Sequence, residues 1–226
     1  MNLEDLLQPK SNIEKKLNEF YKTATPEQVV KELEELGAEF ESIAPIPDYA
    51  IDDPEIVGYP DIEFQEEIYT WTVENNWSDV NVLDVGCGRG DLMNLDGYIG
   101  IDSNQFIIDA GKSKYPDKKL YNISFEDYQP NNITFDSIYF IGTLNVDYGK
   151  FNVNEFWSRY EYLGKLIDIG LEIGNKLIFI LLHNADEGFV SFPMQNVIEL
   201  LSRKNLPFKL DYSKFKDIYK LVVYKP

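Results

Sequence analysis

One segment near the middle of the chain constrains the fold more than any other. It is 80–91, VNVLDVGCGRGD, in which an apolar run leads directly into glycines at alternate positions. Glycine adopts backbone conformations that other residues avoid, and it lets a ligand approach the main chain closely. Open α/β sheets bind their ligands at the carboxyl ends of parallel strands. The segment therefore predicts a buried strand followed by a ligand-binding loop.

The pattern after residue 80 favours a parallel sheet wound by crossover helices, because short apolar runs alternate with helical segments. Seven strands are predicted, at 81–85, 98–101, 119–123, 135–141, 176–182, 208–212 and 219–224. The clearest connecting helix is 153–173. Only 213–218 separate the last two strands, too few residues for a helical crossover, so this pair should be antiparallel. The expected fold class is α/β, a Rossmann-like doubly wound seven-stranded sheet, mostly parallel, with an antiparallel C-terminal strand and an N-terminal helical cap.

The part of the chain before residue 80 has a different character, being acidic and helical in pattern. The run 25–28, TPEQ, supplies a helix N-cap, a first-turn proline and a capping-box glutamine. A further helix is predicted from 61 to about 77. We expect a helical extension or lid over 1–79 and a ligand-binding domain over 80–226.

Charge limits the partners of this chain. The formal net charge is −18, and a field of that sign repels phosphate backbones unless a basic patch overcomes it. The lysines of 112–119 are interpreted as a solvated helix face, so they provide no such patch. Nucleic acid is therefore disfavoured as a partner.

Compartment and metal content are constrained by what the sequence lacks. Cys87 is the only cysteine, which excludes an intrachain disulfide and a cysteine-based metal cluster, and no metal is expected. The first residues show no signal-peptide pattern, and the most apolar run, 177–182, is too short to cross a bilayer. We expect a cytoplasmic protein with no membrane contact.

A second acid follows the next predicted strand. Asp102 ends the run 98–102, YIGID, and lies eighteen positions after Asp84. A carboxylate at the end of that strand can accept hydrogen bonds from both hydroxyls of an adenosine ribose. The dinucleotide fingerprint places two residues between its second and third glycines, and here there is one, so a nicotinamide or flavin oxidoreductase is disfavoured. A tight turn without a ligand would explain the glycine loop alone, but not its combination with Asp102.

Together these segments resemble the class I S-adenosylmethionine-dependent methyltransferases, whose first motif is acid-x-Gly-x-Gly-x-Gly. The matching residues are Asp84, Gly86, Gly88 and Gly90, with Cys87 at a variable position. The resemblance covers roughly 80–226 and implies that the loop wraps the methionine part of S-adenosylmethionine. It further implies that Asp84 lies near the ammonium group, directly or through water, and that Asp102, with Ser103 beside it, binds the ribose.

The resemblance extends to the next two strands and includes departures. The run 123–128, ISFEDY, is similar to the adenine-binding segment, although Ser124 stands where the family usually has an acid. The resemblance implies that Glu126 or Asp127 replaces that acid and that Phe125 covers the adenine ring. Only twelve steps separate the last loop glycine from the ribose acid, so the first helix must be trimmed to one or two turns.

The end of the fourth predicted strand, 142–145, GTLN, resembles the segment beside the transferred methyl group, beginning at Gly142. It lacks the polar-Pro-Pro-aromatic tetrad of methyltransferases that act on nucleobase amines. His183, the only histidine, follows strand 176–182 and can act as a base there, or it can be a loop histidine bonded to the backbone. Cys87 is interpreted as a small filler rather than a nucleophile.

The predicted function is methyl transfer from S-adenosylmethionine to a small-molecule or protein acceptor. The alternative is a methyltransferase-like domain without turnover that serves as a binding or structural subunit. The methyl acceptor and the oligomeric state are left open by the sequence.

Overall fold

The computed structural model describes residues 60–74, 76, 78–92, 97–145, 157–184, 189–212, 215 and 217–226. The helices predicted before residue 60, and the first residues of the predicted helix 153–173, lie outside these ranges. The proposed division at residue 79 and the lid role of 1–79 stay predictions.

The described residues form seven strands and four α-helices. The strands are β1 (Val82–Val85), β2 (Tyr98–Asp102), β3 (Lys119–Asn122), β4 (Ser137–Ile141), β5 (Lys176–Leu182), β6 (Phe208–Tyr212) and β7 (Ile218–Tyr224). The helices are α1 (Ile62–Val73), α2 (Gln105–Lys114), α3 (Ser158–Ile173) and α4 (Met194–Arg203), and a short 3-10 turn covers Phe125–Asp127.

All seven strands belong to one sheet in the order β3-β2-β1-β4-β5-β7-β6. Strands β1 to β5 are all parallel to one another, whereas β7 runs antiparallel to both β5 and β6. The predicted mostly parallel sheet with an antiparallel C-terminal pair is confirmed. The order reverses between β1 and β4, which is the point where a doubly wound sheet opens a crevice at its carboxyl edge.

The start of β4 differs from the prediction. Phe135 makes only an isolated bridge to Gly174, and the strand begins at Ser137. The reason is Asp136, whose carboxylate accepts the backbone N–H groups of Val80 and Asn81 at 2.9 and 3.0 Å. This side chain ties the entry of β4 to the entry of β1 before the ladder begins.

Two apolar layers cover the two faces of the sheet. In β4, Ile138 and Phe140 belong to one layer while Tyr139 and Ile141 belong to the other, as the alternation of side chains along a strand requires. The first layer includes residues of α3 and α4, and the second includes residues of α1 and α2. Because both faces are buried, the central strands are continuous apolar runs, which is why they are easy to recognise in the sequence.

Helix α1 is shorter than its predicted range of 61–77. Asp61 caps its start by accepting the backbone N–H of Phe64 at 2.7 Å, and its last residue is Val73. Lys220 of β7 donates to the carbonyl of Trp71 at 2.8 Å and so fixes the helix on the sheet. Within the part of the chain that the structure describes, neither α1 nor any other helix has the length and apolarity needed to cross a membrane.

The connection from β1 to β2 contains no helix among its described residues, 86–92 and 97. Residues 86–92 form a series of turns. The short helix of one or two turns that was expected after the glycine loop falls mostly on residues outside the described ranges, so it stays a prediction.

Candidate functional site

The register of the sheet brings the ends of three strands together. Val85, the last residue of β1, pairs with Ile101 on one side and with Phe140 on the other. The glycine loop, Asp102 and Gly142 therefore emerge side by side at the carboxyl edge. This is the location predicted for the ligand from the strand-loop pattern alone.

The loop glycines adopt backbone conformations that favour glycine. The φ angles of Gly86, Gly88 and Gly90 are +70°, +56° and +79°, in the left-handed region that costs other residues about 1–2 kcal/mol. A Cβ on Gly86 would also lie 2.7 Å from Cγ2 of Thr143, inside van der Waals contact. The backbone angle thus favours glycine at all three motif positions, and the space available also requires it at Gly86.

Neighbouring strands pin the start of this loop. The backbone N–H groups of Gly86 and Cys87 both donate to the carbonyl of Ile101, at 2.8 and 3.0 Å. From the other side, Oγ1 of Thr143 donates to the carbonyl of Val85 at 2.7 Å. These hydrogen bonds therefore hold the start of the loop between the carboxyl ends of β2 and β4.

Asp102 joins the loop to the β2 edge. Its Oδ2 accepts the N–H of Gly88 at 3.1 Å, and its Oδ1 accepts the N–H of Asn104 at 2.8 Å. A carboxylate oxygen has lone pairs for a second hydrogen bond, so each can still accept a hydroxyl proton. Burial raises the pKa of this carboxyl, against the two backbone donors. The geometry suits a vicinal diol such as the ribose that the resemblance implies.

Asp84 lies beneath the loop and is only 3% exposed. Burial raises the pKa of Asp84 to about 7, although the hydroxyl of Tyr98, which donates to its Oδ2 at 2.8 Å, and the charge of Lys118 act to lower it. A buried carboxyl with this pKa exchanges its proton near neutral pH. A cation brought close to it favours the carboxylate form.

A set of polar contacts behind the loop, made by Lys118 and Asp91, was not predicted from the sequence. Lys118 donates from Nζ to the carbonyls of Gly90 and Leu92, at 2.5 and 3.1 Å. Asp91 lies beside it and is paired with Lys114, whose Nζ is 3.1 Å from Oδ1. The interpretation of 112–119 as a solvated face is therefore wrong for these two lysines. Because 28 residues separate Lys118 from Gly90, no short motif connects them.

The segment expected to hold adenine is engaged in internal contacts. Oγ of Ser124 donates to Asp127 at 2.6 Å, and the hydroxyl of Tyr162 donates to Oε1 of Glu126 at 3.1 Å. The ring of Phe125 is 4% exposed and packs edge-on against Phe140, with ring centroids 5.1 Å apart. This burial does not favour a stacking role for the ring. The adenine contacts of this segment stay predictions.

Asn145 extends the pairing of β4 and β5 beyond the strands. Its Nδ2 donates to the carbonyl of Ile180 at 3.3 Å, and its Oδ1 accepts the N–H of Leu182 at 3.2 Å. The carbonyl of the same residue accepts the N–H of Val190 at 2.7 Å. Its amide thus replaces a stretch of main-chain ladder.

His183 is also bonded to the backbone. Its Nδ1 accepts the N–H of Met194 at 3.1 Å, and its own N–H donates to the carbonyl of Asp217 at 2.6 Å. In the neutral imidazole the proton then lies on Nε2, which leaves Nε2 no lone pair with which to act as a base. This geometry favours the second sequence interpretation, a loop histidine bonded to the backbone. A catalytic role for His183 stays a prediction.

Three other predicted positions are Cys87, Ser103 and Gly142. Cys87 is buried against Gly100, where a Cβ would lie 2.8 Å from its Sγ, and burial raises the pKa of its thiol. These features agree with a filler, since a nucleophilic cysteine needs a lowered pKa. Ser103 is exposed next to Asp102, and Gly142 has a φ of +73° at the end of β4. Among the described residues, no group of three or more His, Cys, Asp or Glu side chains could hold a metal ion.

Neither a protein-family model nor a curated protein sequence matches the chain. Solved structures do share its fold. The magnesium protoporphyrin IX methyltransferase of Synechocystis PCC 6803, crystallised with S-adenosylmethionine, aligns over 82% of this chain and 100% of its own, with 13% identity and a TM-score of 0.52. An S-adenosylmethionine-dependent methyltransferase of Clostridium acetobutylicum ATCC 824 aligns over 78% and 96%, with 14% identity and a TM-score of 0.53.

A third similar structure was crystallised with the demethylated cofactor. The plantazolicin methyltransferase BpumL, in complex with a desmethylplantazolicin analogue and S-adenosylhomocysteine, aligns over 71% of this chain and 84% of its own, with 12% identity and a TM-score of 0.50. The strand order, the reversed last strand and these alignments agree on one architecture. The chain has the Rossmann-like fold of the class I S-adenosylmethionine-dependent methyltransferases.

Proposed function

We propose that this chain binds S-adenosylmethionine at the 84–90 loop and transfers its methyl group to a small-molecule or protein acceptor. The observation that carries the proposal is the hydrogen bond from Gly88 to Asp102, which joins the loop to the ribose acid. The left-handed glycines on either side keep this arrangement in place. A turn without a ligand needs no acid at that position.

The residues at the carboxyl edge fit the charge and shape of this cofactor. S-adenosylmethionine supplies a methyl group activated by a sulfonium, and it also carries an ammonium. Asp84 and Asp102 provide negative charge beneath and beside the loop, which favours a cationic ligand. The second lone pairs on the Asp102 oxygens are suited to the two ribose hydroxyls. The cofactors of the similar structures support the same assignment.

The proposed acceptor class follows from charge and from the similar structures. A net charge of −18 disfavours nucleic acid. One protein of similar structure is a magnesium protoporphyrin IX methyltransferase. Another is a plantazolicin methyltransferase that was crystallised with a desmethylplantazolicin analogue. Methyl transfer requires chiefly an in-line approach, and a base is needed only for a protonated nucleophile. The hydrogen bond from Met194 to Nδ1 of His183 favours a backbone-bonded histidine over a base on the acceptor side.

Isothermal titration calorimetry with S-adenosylmethionine and S-adenosylhomocysteine tests the cofactor assignment. We expect both ligands to bind one site, with each displacing the other. NAD serves as the control ligand and should give no heat. Absence of heat with both ligands at high protein concentration would exclude the proposed cofactor.

A second experiment tests turnover. The protein is incubated with methyl-labelled S-adenosylmethionine and with separated small-molecule and protein fractions of a lysate, and we expect label to enter one fraction. A variant with Asp102 replaced by alanine should transfer about 100-fold less label at a cofactor concentration below saturation. Cofactor binding without transfer in any fraction would support the alternative, a domain without turnover, which the similar structures do not favour.

A further inference from the structure

The backbone of the glycine loop depends on side chains from a later part of the chain. Residues 86–92 form turns rather than a helix, so their carbonyls are not paired in the regular ladder of a helix. Lys118 donates to two of these carbonyls, those of Gly90 and Leu92. An ammonium on a carbonyl is a charge-assisted hydrogen bond, roughly twice as strong as a neutral one.

Lys118 is itself held in place by aromatic rings. Its Nζ lies 4.2 Å from the ring centroid of Tyr115 and 5.2 Å from that of Tyr98. Tyr98 is also the residue that donates to Asp84. Partial burial of the ammonium lowers its pKa, so its hydrogen bonds and the cation–π contacts offset a desolvation cost. A lysine on a solvated face would make none of these contacts.

Asp91 provides a second attachment from the same region. Its Oδ2 accepts Nε of Arg89 at 2.9 Å, while its Oδ1 accepts the hydroxyl of Tyr115 at 2.9 Å and pairs with Lys114. Burial alone would raise the pKa of Asp91, but the cationic neighbours hold it below its usual value. The loop residue next to Gly90 is therefore anchored as an ion to the end of α2.

The end of α2 also touches the loop backbone directly. A Cβ on Gly111 would lie 2.5 Å from the carbonyl oxygen of Arg89, so only a glycine lets the helix approach so closely. The segment 111–118 thus packs behind the loop. Its contacts with the loop are made by Gly111, Lys114, Tyr115 and Lys118.

We propose that Lys118 is a positioning residue for cofactor binding, which holds the carbonyls of Gly90 and Leu92 so that the loop amides keep the orientation the ligand requires. For its ligand the inference rests on the proposed function. The geometry also connects Lys118 to Asp84, because Nζ of Lys118 lies 5.2 Å from the ring centroid of Tyr98, whose hydroxyl donates to Asp84. A positive charge at this place favours the carboxylate form of Asp84.

The protonation of Asp84 and of Lys118 is influenced by the groups around them. Asp84 faces the hydroxyl of Tyr98 and the charges of Lys118, Asp102 and Asp91. Lys118 faces Asp91, Asp84, the Cys87 thiol and Lys114. Removing the positive charge of Lys118 leaves Asp84 with two acidic neighbours. The pKa of Asp84 should then rise further.

The test compares Lys118→Met with Lys112→Met, a control on an exposed lysine of α2. The first readout needs no ligand: hydrogen–deuterium exchange of peptides covering 86–92. We expect exchange about tenfold faster in Lys118→Met, because loss of the charged donor costs about one hydrogen bond's stabilisation. Exchange of the central strand β5 should not change, and Lys112→Met should match the wild type throughout.

The second readout is the affinity for S-adenosylhomocysteine between pH 6 and 8.5. Lys118→Met should bind about tenfold more weakly at pH 7.5, and the midpoint of its pH dependence should move upward, which a merely structural lysine would not cause. Lys118→Arg keeps the charge and should keep the midpoint near that of the wild type.

Exchange, affinity and midpoint that all stay within about twofold of the wild type in Lys118→Met would overturn the inference. If that variant does not fold, Lys118→Gln is measured instead, and a raised midpoint supports the inference while an unchanged one overturns it. If the wild type binds no S-adenosylhomocysteine, the proposed function fails. The exchange comparison then still decides whether Lys118 orders the loop.

Discussion

The two sides of the carboxyl edge use their polar groups differently. On the β1–β2 side, the Asp102 carboxylate bonds the backbone and still has lone pairs for a ligand. On the β4–β5 side, the polar groups of Thr143, Asn145 and His183 are bonded to the main chain. The first side retains acceptor capacity that a ligand could use, whereas these three residues of the second side bond to the main chain. The cofactor half of the site is therefore easier to assign from residues than the acceptor half.

The largest expected effect is on the ligand side. Replacing Asp102 by alanine should weaken S-adenosylhomocysteine binding about 100-fold, since about two charge-assisted hydrogen bonds to the ribose are lost. Calorimetry measures the change. Asp117→Ala, an exposed acid in the turn before β3, is the control and should bind like the wild type. An affinity loss under about threefold for Asp102→Ala would contradict the ribose role.

The next effect should appear on the framework side, as a change in stability. Asn145→Ala leaves the buried groups of Ile180 and Leu182 without their partner and should lower the free energy of unfolding by about 2 kcal/mol. A thermal scan should show the midpoint fall by about 6 °C, while cofactor affinity stays within about twofold. Asn184→Ala removes only an exposed bond to Asp217 and is the control. Lost affinity without lost stability would place Asn145 on the ligand side instead.

A smaller effect concerns the proton on Asp84. If the ligand's cation requires the carboxylate, a pKa of about 7 predicts affinity about tenfold weaker at pH 6 than at pH 8. Asp84→Asn should bind weakly and with a flatter pH profile. Titrations across this range measure both, and an equally steep profile in Asp84→Asn would assign the proton to another group, such as Asp102.

Asp84 should also affect the stability of the fold, and with the opposite pH dependence: stability should fall as the pH rises, whereas ligand affinity should increase. A raised pKa means that the fold favours the protonated form, so the stabilising contribution is complete below the unfolded value of about 3.8 and is lost as the pH rises through about 7. Without its ligand, Asp84→Asn should therefore melt at a higher temperature than the wild type at pH 8. Equal melting temperatures at that pH would contradict the buried charge.

The smallest expected effect is that of His183→Ala. Because Nδ1 is bonded to Met194, we expect labelled methyl transfer to fall by less than about threefold, and cofactor affinity to stay unchanged. Rates at pH 6 to 8 measure the effect. A loss of about 100-fold or more, together with a lost acidic limb in the pH profile, would instead establish His183 as the base.

The sequence predicted the features whose cause is local. Strand β5 was found with its bounds because a strand buried on both faces is a continuous apolar run. The loop glycines were recognised by their alternate spacing after an apolar run, and their left-handed backbone angles explain why glycine is favoured there. Asp102 was recognised because it ends a strand. The antiparallel pair β6 and β7 followed from the short connection between them.

The sequence by itself thus determined the sheet and the position of the loop, because periodicity and backbone angle act over a few residues. Only the folded structure shows which polar side chains bond the main chain and which retain acceptor capacity. The pairing of β3 with β2 brings Lys118 to the loop carbonyls, and Phe125 is buried against Phe140. Hydrogen bonds and burial depend on distances in space, and spacing along the chain does not encode those distances.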